Sequence, residues 1–161
     1  PNHLAGETFN RTTGLQITHV PFQGTGLALQ AVISNQVGAM WGFMAGLIPH
    51  IKEGSIRAIA VGSKERSPAL PDVPTVAESG VPGYEASFWV GLFAPAKTAP
   101  ETVRAMQQSI SRVMARPDVR ERLATDVMIP VANTPEELGK VIQSDSAKWS
   151  GLIRKFNLKA E

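Results

Sequence analysis

The sequence predicts an α/β fold in two lobes, and three observations support this prediction. Over the first half of the chain, short β-rich segments alternate with helical segments, which is typical of a parallel sheet with right-handed crossovers. The second half instead contains long amphipathic helices. The two patterns meet near Tyr84 to Gly91, after a connector rich in proline and glycine. With 161 residues, of which 43% are hydrophobic, the chain has enough apolar material for one ordinary domain or two small lobes.

A helix over Leu4 to Thr12 is the first predicted element, because apolar side chains recur there at helical spacing. Asn2 is the expected N-cap and Gly14 the expected stop. The next segment, Gln16 to Phe22, is rich in β-forming residues, and Pro21 ends its capacity to pair. We therefore expect a strand that leads into a turn.

Two more helices and two more strands complete the predicted sheet. A mostly buried helix follows Gly24-Thr25-Gly26 and ends at Asn35, a residue that readily adopts the left-handed conformation. We expect Val37 to Phe43 as a buried strand, Ala45 to Lys52 as a helix, and Ile56 to Val61 as a parallel strand buried on both faces.

The second half of the chain is marked by helix-start signals. Thr75-Val76-Ala77-Glu78 is a capping box for a short helix in the connector, and Ala86 to Ala94 is strand-like. Thr98-Ala99-Pro100-Glu101 and Thr134-Pro135-Glu136-Glu137 each open an amphipathic helix. Between these two helices we expect a short helix over Pro117 to Leu123 and an edge strand over Met128 to Val131.

Composition excludes several classes of function. Sixteen Lys and Arg against 14 Asp and Glu give a net charge of +2, and the basic residues are scattered, so we expect no nucleic-acid partner. No stretch reaches the roughly 20 consecutive apolar residues of a bilayer-spanning helix. The absence of cysteine excludes disulfides, a thiol nucleophile and thiolate zinc sites.

The residues offer no catalytic constellation. The three histidines, His3, His19 and His50, are spread along the chain without metal-ligand spacing, so we expect no metal site and no cofactor. No carboxylate pair is available for general acid and base work, and no serine lies in a nucleophile-elbow motif. The sequence therefore argues against an enzyme.

Binding of an anion is the best-supported function. The turn Phe22 to Gly26 joins a strand to a helix, and such a turn offers unpaired backbone N–H groups, a positive dipole end and the Thr25 hydroxyl. A plain turn with a helix cap is the alternative interpretation. The segment Pro1-Asn2-His3 precedes another helix. Helices that follow parallel strands start at the same edge of the sheet, so the two starts should converge there.

Several motifs, in order along the chain, resemble a known family. They are Pro1-Asn2-His3-Leu4-Ala5-Gly6-Glu7, His19-Val20-Pro21-Phe22-Gln23-Gly24, Pro49-His50-Ile51-Lys52-Glu53-Gly54, and Pro71-Asp72-Val73-Pro74-Thr75-Val76-Ala77-Glu78-Ser79-Gly80 with Pro82-Gly83-Tyr84. With these motifs the chain resembles, over essentially its whole length, the extracytoplasmic solute receptors of tripartite tricarboxylate transporters, the TctC or Bug receptors.

The resemblance implies a type II periplasmic-binding-protein fold, with two α/β lobes joined by a hinge. Such a receptor closes on a small carboxylate in the periplasm and hands it to the subunits of a membrane transporter. Residues 1–86 would form most of the second, ligand-binding lobe. Residues 87–161 would form the hinge strand and the C-terminal helices that return to the first lobe, with Trp89 partly buried at the hinge.

The resemblance also implies the ligand-binding residues. They lie in three loops, each before a helix: Asn2 and His3 in the first, Gln23, Gly24 and Thr25 in the second, and Gly42 and Phe43 in the third. His3 has an alternative role in fixing its own loop. Where relatives often have Tyr and Lys before the glycine, this chain has Phe22 and Gln23. With Phe43 and no acid in the third loop, the sequence favours an apolar or aromatic carboxylate over an amino acid.

Other interpretations remain open at this point. The chain opens on Pro1, and members of this family are much longer, so we expect a truncated or processed piece that a missing N-terminal half or a second chain completes. A ligand-sensing effector domain of a transcription regulator shares the bilobal fold, but it would be joined to a helix-turn-helix. An enzyme on the same lobes would need a titratable pair in the cleft. The segment could also be an inactive fragment of the receptor.

Overall fold

The structure is a computed structural model that describes residues 1–125 and 127–156. The chain divides into two compact units, Pro1–Phe88 and Trp89–Glu161. This boundary lies close to the predicted one at residues 86 and 87. The assignment of the units to the lobes of a receptor stays a prediction.

The first unit contains three helices, α1 (Asn2–Thr13), α2 (Thr25–Ile33) and α3 (Met44–Lys52). All three were predicted, with small differences at their ends. The predicted stops are confirmed, because Gly14 follows α1 with φ 74° and Asn35 follows α2 with φ 60°, both left-handed. The predicted N-cap Asn2 is wrong, since the cap position is Pro1 and Asn2 already belongs to the helix.

The predicted strands form no sheet ladder within the described residues. The segments 16–22, 37–43, 86–94 and 128–131 are irregular, and only Val61 makes a bridge, parallel to Thr75. The Val61 N–H donates to the Pro74 carbonyl at 2.9 Å, and the Val76 N–H donates to the Val61 carbonyl at 3.0 Å. The β-rich pattern identified segments suited to a sheet, but a strand also needs a partner at ladder distance. The predictions of strands over residues 16–22, 37–43, 86–94 and 128–131 are therefore wrong.

The core of the first unit is built around an aromatic cluster. Trp41 lies 5.5 Å from Phe9 and 6.0 Å from Tyr84 between ring centroids. The Tyr84 hydroxyl donates to the Ala5 carbonyl at 3.0 Å. A Cβ on Gly6 would stand 2.9 Å from the Trp41 ring, so glycine is what lets the indole lie against α1. Helix α1 is thereby held against the segment that leads to α3.

The predicted capping box in the connector is present, although it closes a turn and no α-helix follows. The Thr75 N–H donates to the Glu78 carboxylate at 2.7 Å, and the Glu78 N–H donates to the Thr75 hydroxyl at 3.0 Å. Arg66 Nε also donates to this carboxylate at 2.9 Å. Together the Thr75 N–H and the Arg66 guanidinium hold the pKa of Glu78 below its ordinary value.

The second unit contains α4 (Pro100–Met114), α5 (Pro117–Thr125) and α6 (Pro135–Phe156). The capping box of α6 is confirmed, because the Thr134 N–H donates to Glu137 at 2.8 Å and the Glu137 N–H donates to the Thr134 hydroxyl at 3.2 Å. The cap predicted at Thr98 is wrong. Pro100 occupies the first helical position, so the cap position falls on Ala99, which has no side-chain acceptor.

Trp89 begins the second unit and is attached to its longest helix. The indole Nε1–H donates to Asp145 Oδ2 on α6 at 2.5 Å, and Trp89 is partly buried, as predicted. None of the helices in the described ranges is long and apolar enough to cross a membrane.

Candidate functional site

Three helix starts in the first unit carry the predicted site residues, and all three lack a side-chain cap. The cap positions are Pro1 for α1, Gly24 for α2 and Phe43 for α3, and none of them makes a side-chain hydrogen bond to its helix. No acidic residue lies in the first turn of any of the three helices. Their first-turn N–H groups therefore have no acceptor within the helix and no capping side chain.

The helices of the second unit, in contrast, all carry acidic residues at their starts. Each has an acid in its first turn, namely Glu101 in α4, Asp118 in α5, and Glu136 and Glu137 in α6. Such acids neutralise the positive end of the helix dipole. The first unit leaves this positive potential and these donors available to an external anion.

The turn before α2 has a conformation that only glycine adopts readily. Gly24 has φ 100° and ψ 164°, and its own N–H donates to the Phe22 carbonyl at 2.9 Å. The Gly24 N–H is therefore used within the turn itself. The donors left for a ligand are the amides of the first helical turn, beginning at Thr25, together with the Thr25 hydroxyl. No atom lies within 4 Å of a Cβ built on Gly24, so the turn is open.

The start of α1 is joined to the segment that leads into α2. The His3 and His19 rings stack, with centroids 4.1 Å apart and planes at 11°. The structure thus brings the first predicted loop beside the approach to the second. The stack agrees with the alternative role of His3, which is to fix its loop. Asn2 lies at the first position of α1, and Gln23 is exposed before Gly24.

The start of α3 is packed more tightly. A Cβ on Gly42 would stand 2.8 Å from Leu47 Cδ1 and 3.0 Å from Met40 Cε, so Gly42 makes room for these side chains. Phe43 contacts Phe88, with ring centroids 4.6 Å apart. Trp41 directly precedes this loop in the sequence, and its ring packs against α1. It thereby connects the start of α3 to the first helix.

No Asp, Glu, Lys or Arg occurs between Arg11 and Lys52, the stretch that contains the second and third loops. This signal was available in the sequence, and it means that these loops supply neither a cationic partner for a carboxylate nor an acceptor for an ammonium group. Among residues 1–125 and 127–156 no three His, Asp or Glu side chains cluster so that they could hold a metal ion. What the arrangement offers is neutral N–H donors and helix dipoles.

Comparison with known proteins identifies the family. Residues 1–158 match the family model of the tripartite tricarboxylate transporter family receptor, TctC. Protein BugT of Bordetella pertussis is 32% identical over 157 residues, which is 98% of this chain and 48% of BugT. The chain thus spans about half the length of this curated relative.

Two solved structures are similar over nearly the whole chain. MatC from Rhodopseudomonas palustris, solved with bound malate, is 34% identical with a TM-score of 0.82, over 94% of this chain and 53% of MatC. The periplasmic binding protein BugD is 28% identical with a TM-score of 0.83, over 99% of this chain and 54% of BugD. These likenesses confirm the predicted fold class, α/β of the periplasmic-binding-protein kind. Because the family model matches almost every residue, the chain belongs to the TctC or Bug receptors of the tripartite tricarboxylate transporter family.

Proposed function

We propose that this chain forms the carboxylate-holding part of a solute receptor, which captures a small carboxylate in the periplasm and delivers it to a tripartite tricarboxylate-type membrane transporter. The observation that carries the proposal is the set of three helix starts without cap or acid in the first unit. Membership of a receptor family and the malate in MatC support it.

In this proposal the carboxylate accepts hydrogen bonds from the first-turn amides of α2 and from the Thr25 hydroxyl. Hydrogen bonds to an ionised acceptor are shorter and stronger than neutral ones, and the helix dipole adds to the attraction. Gly24 holds the turn in its left-handed conformation, and Gln23 borders it. Asn2 and His3 lie at the start of α1, and Gly42 and Phe43 at the start of α3, as the other contacts of the ligand.

The receptor changes no bond in its ligand, so it needs no catalytic residue and no cofactor. Recognition by neutral donors also avoids the cost of removing a charged protein side chain from water when the ligand binds. Membership of the family supports the transporter subunits as partners and the periplasm as the location.

A thermal-shift screen tests the proposal. The receptor expressed from its complete gene is heated with dicarboxylates, aromatic acids and amino acids in turn. A ligand specific for the native state stabilises it by about 2.7 kcal/mol at a concentration of 100 times Kd, which raises Tm measurably. If no carboxylate raises Tm at any concentration up to millimolar, the proposed function is wrong.

The Gly24→Val variant tests the position of the site. Its φ of 100° is strained for any L side chain, so the substitution should distort the turn and weaken binding at least about tenfold. Gly80→Val is the matched control, because Gly80 has φ 107° and equally open surroundings but belongs to the connector and to none of the three predicted ligand-binding loops. Calorimetric titration should show unchanged affinity for the control. Equal losses in both variants would assign the effect to backbone strain alone.

A further inference from the structure

Two phenylalanine rings lie in contact at the start of α3, within the first unit. The planes of Phe43 and Phe88 are tilted by 45° and their centroids are 4.6 Å apart. The rings are nevertheless open to the outside, since Phe43 is 38% exposed and Phe88 is 56% exposed. Phe88 was predicted only as part of a hinge strand, so its pairing with Phe43 is a finding of the structure. The result is an aromatic surface beside an uncapped helix start.

The surroundings of this aromatic surface offer no charged partner from the second or third loop. The stretch between Arg11 and Lys52 has no acidic or strongly basic residue, and Gly42, next to Phe43, has no side chain. A hydroxyl substituent placed against the two rings would lose its hydration without gaining a hydrogen bond from them, which is unfavourable. An ammonium substituent would lose far more hydration, and its cation–π attraction to phenylalanine rings offsets only part of that loss. A hydrocarbon body would instead gain from the removal of apolar surface from water.

We propose that Phe43 and Phe88 determine ligand specificity by contacting the non-polar body of the bound carboxylate. The receptor then prefers aliphatic and aromatic carboxylates to hydroxy acids and amino acids of the same length. This inference rests on the proposed function, because it requires a carboxylate group held at these helix starts.

Succinate, malate and aspartate provide the test, because these four-carbon dicarboxylates differ only in carrying hydrogen, hydroxyl or ammonium at one carbon. Adipate and benzoate serve as longer and aromatic probes. Calorimetric titration of the receptor expressed from its complete gene should show succinate binding at least about fivefold more tightly than malate or aspartate. Adipate or benzoate should bind more tightly still.

Substitution of the rings assigns the preference to them. Phe43→Ala and Phe88→Ala should each weaken the tightest non-polar ligand about tenfold and change the affinity for malate by less than about twofold. Phe43→Leu should restore most of the affinity, because it keeps an apolar side chain. Phe156→Ala, which removes a ring from the end of α6, is the control and should leave the order of ligands unchanged.

The outcomes separate the two proposals. If malate or aspartate binds as tightly as succinate, or if the alanine variants weaken all ligands alike, the specificity inference is wrong while the proposed function stands. If none of the five acids binds, the inference is wrong, and the proposed function fails with it when no other carboxylate raises Tm in the thermal-shift screen. If Phe43→Ala lowers Tm and affinity together, Phe88→Ala decides. A loss that affects the non-polar ligand and spares malate cannot come from unfolding, because unfolding weakens the binding of every ligand alike.

Discussion

At the scale of single residues, Tyr84 gives the first unit a dependence on alkaline pH. The side chain is buried, its hydroxyl donates to the Ala5 carbonyl, and burial raises the pKa of Tyr84 from 10.0 to about 12. A raised pKa means that the folded state favours the protonated form. The stabilisation is therefore fully present below about pH 10 and is lost as the pH rises through about 12.

We expect Tyr84→Phe to flatten this alkaline loss of stability. The variant gives up the hydrogen bond to Ala5, at a cost of about 1 kcal/mol near neutral pH, but it removes the titrating group. Urea unfolding at several pH values between 10 and 12 measures the difference. Because the sequence has a single tyrosine, tyrosinate absorbance reports on Tyr84 alone. A parallel loss of stability in wild type and variant would assign the alkaline unfolding to other groups.

At the scale of elements, the start of α6 depends on a reciprocal cap. The N–H and hydroxyl of Thr134 donate to Glu137 and hold the pKa of this carboxyl below its ordinary value of 4.5. Because the pKa of Glu137 is lower in the folded state, the carboxylate stabilises the protein fully at pH values above its pKa in the unfolded chain. This stabilisation is lost as the pH falls through the pKa in the folded state. Glu137→Gln should therefore weaken the acid dependence of helix content, as measured by circular dichroism.

Glu136→Gln is the matched control for this prediction. Glu136 lies in the same first turn and carries the same charge, but it is outside the capping box. If both variants change the loss of helix content at acid pH equally, the acid dependence comes from the helix dipole and not from the capping box.

Local signals in the sequence were sufficient for the helices and insufficient for the sheet. Gly14, Asn35 and the Thr134 capping box mark helix ends because the interactions that end a helix lie within a few residues. The cap predicted at Thr98 was wrong because Pro100 occupies the first helical position, which places the start of α4 one residue later than predicted. The segments 16–22 and 86–94 have the composition of strands, but pairing depends on residues far along the chain, which composition does not reveal.

At the scale of the whole molecule, the same distinction separates what was predictable about the site from what was not. The three loops before helices follow from local patterning, and the absence of Asp, Glu, Lys and Arg from residues 12–51 is read directly from the sequence. The stack of His3 on His19 and the contact of Phe43 with Phe88 join distant parts of the chain. The Gly24 amide is used within its own turn, a detail of backbone geometry that the residue pattern does not reveal.

The last prediction concerns the irregular segments that were expected to be strands. They expose large apolar side chains, with Ile59 71%, Val90 77% and Ile129 81% accessible. Extended backbone with unpaired N–H and C=O groups and exposed apolar side chains is a template for pairing with another chain. We therefore expect the 161-residue chain, expressed by itself, to associate with increasing concentration in light scattering and to bind a hydrophobic dye. Val90→Lys and Ile129→Lys should reduce association, because charge on such a segment opposes edge pairing. Val113→Lys, on an exposed position of α4, should reduce it much less, since a helix offers no ladder groups. A cooperatively folded monomer at all concentrations would contradict the prediction and would mean that these segments need no partner.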